Sequence, residues 1–362
     1  MAEFRVIPIK VFPTEQYSNI ETFAEKNLAG KVCLSPFVSA TISIDGTVSL
    51  CGCSAWMPAD IGNIKTHKLI DLINNKLSQK IKQSIINGTY TYCNELTCGI
   101  INNNQLNDVA SLGAEVAKKI TVTTDQLPTH ITFAGDATCN LSCPSCRTDI
   151  VKFSEDSVEQ IESVGKILVE NVFSQPSDQA ISLMLSTTGE VFASPILLKF
   201  VNSIDLKSFP NLTFDLQTNG LLCKARWSRI QTLESRIAKI TVTVDASEKL
   251  TYEKLRRGGK WEDILENLEF LKTKKQQLGF NLHLRMVVQQ DNYNQMFDFY
   301  NLSIGYDADL IEYARILKWN HMTRDQFIAL DSFNTKNPEF ELATQALAQV
   351  KHLPKTMFTN GL

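Results

Sequence analysis

Nine cysteines occur in the chain, and their spacing sorts them by the chemistry they can do. Cys139, Cys143 and Cys146 stand at Cys-x3-Cys-x2-Cys in the segment ITFAGDATCNLSCPSCRTD, directly after a short apolar run. Three thiolates on one tight loop suit soft metals, and three rather than four leave one coordination position for a group that is not protein. A structural zinc site is the alternative, but such sites are closed by four ligands, and no His or fourth Cys lies nearby in this segment. Cys33, Cys51, Cys93 and Cys98, with Cys53 beside them, make a second thiol set within the first hundred residues. Zinc is a stronger rival there, because four Cys around a hairpin and a helix also describe a zinc-ribbon-like site. Cys53 is either a spare ligand or a small hydrophobe, and Cys223, which stands alone, reads as a buried hydrophobe. His67, His130, His283, His321 and His352 are scattered without ligand spacing and read as core or surface residues.

An odd cysteine count in a chain without an export signal points to ligands or reactive thiols rather than to a disulfide framework. The opening MAEFRVIPIKVFPTEQ has no unbroken apolar stretch, and no later run approaches the roughly 18 apolar residues of a membrane span. We therefore expect a cytoplasmic protein with no membrane partner. Lys plus Arg total 36 against 39 for Asp plus Glu, a net charge of -3, which leaves no surplus to track a phosphate backbone and disfavours nucleic acid as a partner. With 362 residues, 43% of them hydrophobic, the chain can bury an enzyme-sized core and suggests about two domains.

The elements that would position the thiols fall into two groups. Residues 31–105 open with VCLSPFVSATISIDGTVSLCGC, whose alternation and Asp45-Gly46 turn predict a β-hairpin with Cys33 and Cys51 near its open ends. Leu69, Ile73, Leu77, Ile81 and Ile85 at fourfold spacing predict one helix, stopped by Asn87-Gly88, that delivers the chain to Cys93 and Cys98. From about residue 128 apolar strands alternate with amphipathic helices. Strands are expected near 130–134, 181–186, 212–217, 239–244, 281–288 and 309–315. A helix capped by Asp156 and Glu159 is expected between the first two, and one from Trp261 to Gly279 between the fourth and fifth. The fold class is α/β, a partial (β/α)6 barrel preceded by a small hairpin and helix module, with its chemistry at the C-terminal ends of the strands. The expected divisions are an N-terminal extension (1–30), the module (31–105), a linker (106–127), the core (128–318) and a C-terminal extension (319–362).

On these motifs, residues 128–318 resemble the radical S-adenosylmethionine (radical SAM) superfamily. The resemblance implies that Cys139, Cys143 and Cys146 bind three irons of a [4Fe-4S] cluster whose fourth iron is chelated by S-adenosylmethionine. Reductive cleavage of that cofactor would yield a 5'-deoxyadenosyl radical that abstracts hydrogen from an unactivated carbon. Further cofactor contacts are implied for Gly189 and Glu190 of Thr188-Gly189-Glu190, a partial match to the family's Gly-Gly-Glu turn. The same holds for Thr218 and Asn219 before Gly220, for Thr243 and Asp245 at the fourth strand's end, and for Gln289 after the fifth. Arg256, in Arg256-Arg257-Gly258-Gly259, is the expected anchor of a substrate carboxylate, and Cys223 a weak candidate hydrogen-atom donor. One departure is Ser145, where the family commonly has an aromatic residue.

Cys33-x12-Gly46-x4-Cys51, then Asp60-Ile61-Gly62-Asn63-Ile64, a helix and Cys93-x4-Cys98 resemble the SPASM module in its one-cluster "twitch" form. This implies an auxiliary [4Fe-4S] cluster on Cys33, Cys51, Cys93 and Cys98 that transfers electrons, although the module more often follows the barrel. The function these resemblances imply is oxidative modification of a peptide or protein, with a reducing partner such as a flavodoxin or ferredoxin. About 30 residues precede Cys33 and about 45 follow the last expected strand, too few for a separate leader-binding domain. Oxidation of a small sugar or amino-acid derivative is the second reading. A non-catalytic iron-sulfur or zinc-binding protein is the third.

Overall fold

The computed structural model describes residues 5–6, 28–52, 56–94, 98–102, 104–153, 155–185, 189–318, 321–360 and 362. Cys53 and Thr188 lie outside the described residues. Ten strands form one sheet: β1 (Ser39–Ser43), β2 (Thr47–Ser49), β3 (Asp60–Asn63), β4 (His130–Ala134), β5 (Ile181–Leu185), β6 (Leu212–Thr218), β7 (Ile237–Thr243), β8 (Asn281–Val288), β9 (Leu310–Arg315) and β10 (Thr356–Thr359). Their order is β10-β9-β8-β7-β6-β5-β4-β1-β2-β3, and every pairing from β10 through β4 is parallel. Successive strands are neighbours and helices fill the crossovers, the progression of a βα barrel rather than of a doubly wound sheet. The six expected strands all occur. β10, a seventh parallel strand in the 319–362 stretch, has no counterpart in the sequence reading.

The sheet curls. Six strand spacings separate β4 from β10, about 29 Å in a flat sheet, yet Cys139, after β4, and Thr359, at the end of β10, line one cavity. The burial pattern agrees with this shape. Alternate residues of β5, β6 and β8 are buried against the helices, while the intervening Gln217, Arg285 and Val287 face the cavity.

The hairpin belongs to this sheet too. Five residue pairs, from Ser39 with His130 to Ser43 with Ala134, join β1 to β4 in parallel, and β2 and β3 add antiparallel strands outside it. Ala40, Ile42 and Val48 accordingly share one apolar core with Phe133, Leu183 and Phe214. A second, smaller core gathers Val32, Ile85, Tyr90, Cys93, Cys98, Ile101 and Leu106. Asn107–Asp108 pairs antiparallel with Lys31–Val32, so the chain closes on the start of the hairpin segment before it enters β4.

Three local expectations are corrected. The first arm of the hairpin begins at Ser39, because Ser35–Val38 is a helical turn with Pro36 in its first turn, where a fixed φ suits a helix. The single helix expected over 69–85 is two, Leu69–Leu72 and Lys76–Ile86, because the Asn75 side chain accepts from Ser78 N at 2.9 Å and starts a new helix. Asp156 lies inside the first turn of the Glu155–Val172 helix rather than capping it. Ile161, Val164, Leu168 and Val172 form the buried apolar stripe of that helix. Trp261–Leu278 ends as expected, on Gly279 in the left-handed conformation. No helix among the described residues is long and apolar enough to cross a membrane.

Candidate iron-sulfur sites

Cys139, Cys143 and Cys146 sit on the loop after β4, at the C-terminal mouth of the parallel strands. They line a cavity of about 530 Å³ together with Gly189, Thr218, Asn219, Thr243, Asp245 and Arg256. The loop is held from several sides. Asp136, 1% exposed, accepts from Thr138 N at 2.7 Å and from the Ser194 hydroxyl. Arg147 donates from Nη1 to Ala137 O at 2.8 Å. Arg257 donates to Ser142 Oγ at 3.0 Å and to Thr148 O at 2.6 Å, and Ser142 N donates back to Arg257 O.

Gly189 is required by a close approach. A Cβ there would press on Asp136 O and lie 2.7 Å from Thr138 O, and the next residue's N donates to that same Thr138 O at 2.8 Å. The turn after β5 is thus laid directly against the cysteine loop. Glu190 points behind the cavity wall. Its Oε1 accepts from Phe192 N at 3.0 Å and Thr218 Oγ1 at 2.7 Å, and its Oε2 accepts from Asn219 N at 2.6 Å. Complete burial raises its pKa, and the bonds from Asn219, Thr218 and Phe192 oppose that rise. Glu190 therefore fixes Thr218 and Asn219, which carry the turn at Gly220. That turn needs glycine, since φ is +84° and a Cβ would meet Ile264 and Val242.

Each cysteine sulfur has an N–H directed at it. Leu141 N lies 3.4 Å and Asn219 Nδ2 3.8 Å from Cys139 Sγ. Arg256 Nη1 is 3.7 Å from Cys143 Sγ, and Arg147 Nη2 is 3.6 Å from Cys146 Sγ. Burial pushes the Cys139 thiol up to about 11 against the opposing charge of Arg147. Arg256, 9% exposed, also stands with Nη2 2.9 Å from Asp245 Oδ2, close enough to pair as ions although not aligned as a hydrogen bond. Its buried Nε has no partner among the described residues. Asp245 has a left-handed backbone (φ +67°), and its other oxygen accepts from Val287 N at 2.7 Å. Burial raises the Asp245 pKa, with Arg256 opposing. The guanidinium expected to anchor a substrate carboxylate thus faces Cys143 and Asp245.

The other expected residues are placed less directly. Thr243 ends β7 on the cavity wall. Gln289 is buried behind the end of β8 rather than on that wall, and its Nε2 has no partner among the described residues. Cys223 is fully buried, with its sulfur 3.9 Å from Thr218 Oγ1. The sequence reading passed over Asp136 and Arg147, and quoted Arg257 beside Arg256 without giving it a role. Charged residues within a few positions of the cysteine motif, or beside Arg256, were the signal available.

Cys33, Cys51, Cys93 and Cys98 line a second, mostly apolar cavity of about 70 Å³ with Trp56, Met57, Tyr90 and Ile101. Short backbone bonds arrange the loop that carries Cys93 and Cys98. Cys93 N donates to Tyr90 O, Cys98 N to Asn94 O, and Asn94 N to Trp56 O. Burial pushes Cys33 up to about 11 and raises Cys93 further, where the neighbouring thiols add to the effect. Trp56 and Gly52 line both cavities, so one thin wall separates the two thiol sets. The Trp56 Nε1 is buried without a partner among the described residues.

Among the described residues no three His, Cys, Asp or Glu side chains converge closely enough to hold one metal ion. The thiols instead line the walls of two cavities. Soft donors around a volume, with N–H groups aimed at the three sulfurs of the first site and an orphaned donor beside each site, fit an iron-sulfur cluster in each.

Residues 33–99 match the family model of SPASM, an iron-sulfur cluster-binding domain. No curated protein matches the chain. Among solved structures, anSMEcpe with bound AdoMet and Cp18Cys peptide is similar at 17% identity and a TM-score of 0.38, over 54% of this chain and 52% of that one. Streptococcus suis SuiB bound to precursor peptide SuiA is similar at 12% and 0.41, over 90% and 72%. Methylornithine synthase (PylB) is similar at 12% and 0.39, over 63% of each chain. SuiB bound to S-adenosylmethionine is covered over 47% of its length, so this chain spans about half of the first of these structures. Similarities of this size carry neither substrate nor mechanism to the chain.

Proposed function

We propose that the chain is a radical SAM enzyme with an auxiliary iron-sulfur cluster, acting oxidatively on a peptide or protein. The observation that carries this reading is the set of three thiols on one loop at the mouth of a curled parallel sheet, each met by an N–H and all facing a cavity in the usual size range of ligand pockets. Cys139, Cys143 and Cys146 would hold the first [4Fe-4S] cluster, and Cys33, Cys51, Cys93 and Cys98 the auxiliary one. When bound, the first cluster and S-adenosylmethionine supply a one-electron cleavage that delivers a 5'-deoxyadenosyl radical to the substrate.

The chain's residues organise that chemistry. Gly189, by admitting backbone close to the cysteine loop, and Glu190, by pinning Thr218 and Asn219, shape the wall on which the nucleotide would rest. Thr243 offers a hydroxyl at the strand end. Four thiols close the auxiliary site and leave no position for substrate, which suits electron transfer. The SPASM match supports a peptide substrate, since many relatives with this module modify peptides. A flavodoxin or ferredoxin is the matching class of electron donor. A reducing cytoplasmic setting suits both thiol sets.

The test is anaerobic reconstitution with iron and sulfide, reduction, and assay for 5'-deoxyadenosine and methionine formed from S-adenosylmethionine. Stoichiometric formation of both supports the reading. A colourless, zinc-loaded protein that leaves the nucleotide intact sinks it.

A further inference from the structure

We infer that Arg256 and Arg147 are positioning residues that raise the reduction potential of the first cluster by directing guanidinium N–H groups at two of its three cysteine sulfurs. This rests on the proposed reading of Cys139, Cys143 and Cys146 as cluster ligands. Arg256 places Nη1 3.7 Å from Cys143 Sγ, and Arg147 places Nη2 3.6 Å from Cys146 Sγ. Among the described residues the third sulfur, of Cys139, has neutral donors at hydrogen-bond range, Leu141 N and Asn219 Nδ2. Adding an electron makes a cluster and its thiolates more negative. N–H donors and fixed positive charge beside the sulfurs favour that state, more strongly at the buried Cys143 than at the exposed Cys146.

Both cations are held in place. Arg256 leaves the turn after the Lys249–Leu255 helix, is 9% exposed and is fixed from the far side by Asp245 Oδ2 at 2.9 Å. Arg147 is anchored by its other terminal nitrogen on Ala137 O at 2.8 Å. Asp245 offsets part of the Arg256 charge, so the effect of Arg256 comes mainly from the N–H at the sulfur. Arg256 Nε, buried and unpartnered among the described residues, is a second donor at the same wall. Neither arginine lines the auxiliary cavity, which provides an internal reference.

The experiment is an EPR-monitored redox titration of the reconstituted full chain without S-adenosylmethionine, using dithionite and mediator dyes. Arg147→Gln and Arg256→Met should each move the first cluster's midpoint to a more negative value, leaving the auxiliary midpoint in place. Arg256→Lys, which keeps the charge but not the planar fork, should fall between. Arg256→Met leaves Asp245 buried without its cation, so Arg256→Met/Asp245→Asn is titrated alongside it. An unmoved first midpoint in Arg147→Gln and in the double variant, at full iron content, would overturn the inference. Equal shifts of both clusters would overturn it too, since they would report a global change. Nucleotide cleavage by the wild-type chain is assayed separately, so a shift without cleavage would fail the proposed function and leave this inference standing.

Discussion

Glu190 Oε2 accepts from Asn219 N at 2.6 Å, tying the turn after β5 to the turn after β6 across 29 residues of chain. With Thr218 and Phe192 N on its other oxygen, the carboxylate is wholly engaged inside the protein. Glu190→Gln would set an NH2 against at least one of these donors. The cost should be about 1–3 kcal/mol, read as a lower midpoint in chemical denaturation, with a clear drop in 5'-deoxyadenosine formation. A variant as stable and active as the parent would show that the carboxylate is dispensable.

Gly189→Ala tests the close approach itself. The added methyl would meet the backbone of residues 136–138, so the turn and the cysteine loop must separate. We expect near-native circular dichroism, together with loss of iron and sulfide from the first site. Full iron loading would mean that the loop tolerates the displacement.

The two thiol sets should be separable. Replacing Cys139, Cys143 and Cys146 together by Ala should remove about half the iron and all nucleotide cleavage. Replacing Cys33 and Cys51 should remove about the other half and block product formation, while leaving first-cluster EPR signals. Iron content unchanged by the second pair of substitutions would exclude a cluster at that site.

A pH effect is expected at β3, where Asp60 pairs with Ser49. Burial, with Asp45 nearby, pushes the Asp60 carboxyl up to about 6, above an unfolded value of about 3.9. A folded pKa raised in this way favours the protonated form, so this contribution is full below about pH 4 and is lost as pH rises through about 6. Asp60→Asn should therefore raise the melting temperature at pH 7 more than at pH 4.5. An equal gain at both values would refute the assignment.

Much of this was legible in the sequence because it is local. The cysteine loop, the Asp45-Gly46 turn, with Thr47 N on Asp45 Oδ1, and the Gly279 stop each depend on a few adjacent residues. The six parallel strands were legible as short apolar runs alternating with amphipathic helices. What escaped depends on distant partners. The parallel pairing of β1 with β4 joins residues about ninety positions apart, and nothing in SATIS names HITFA as its neighbour. Glu190 was read by resemblance as a cofactor contact, whereas its hydrogen bonds depend on where Thr218 and Asn219 come to rest. Arg256 was read as the anchor of a substrate carboxylate, whereas its burial against Cys143 depends on a loop 113 residues away. Asn75 could have been read as a cap, but the unbroken fourfold spacing of Leu and Ile around it masked the signal.

The parallel ladder between Ser39–Ser43 and His130–Ala134 bears on how the two halves move. A module slung on a flexible tether could swing and vary its distance from the reaction chamber, whereas one stitched strand to strand into the same ladder cannot. Whatever passes between the chambers, with Trp56 in the partition, crosses a gap set by the frame itself. Its rate should depend on the chemistry at either end rather than on a hinge.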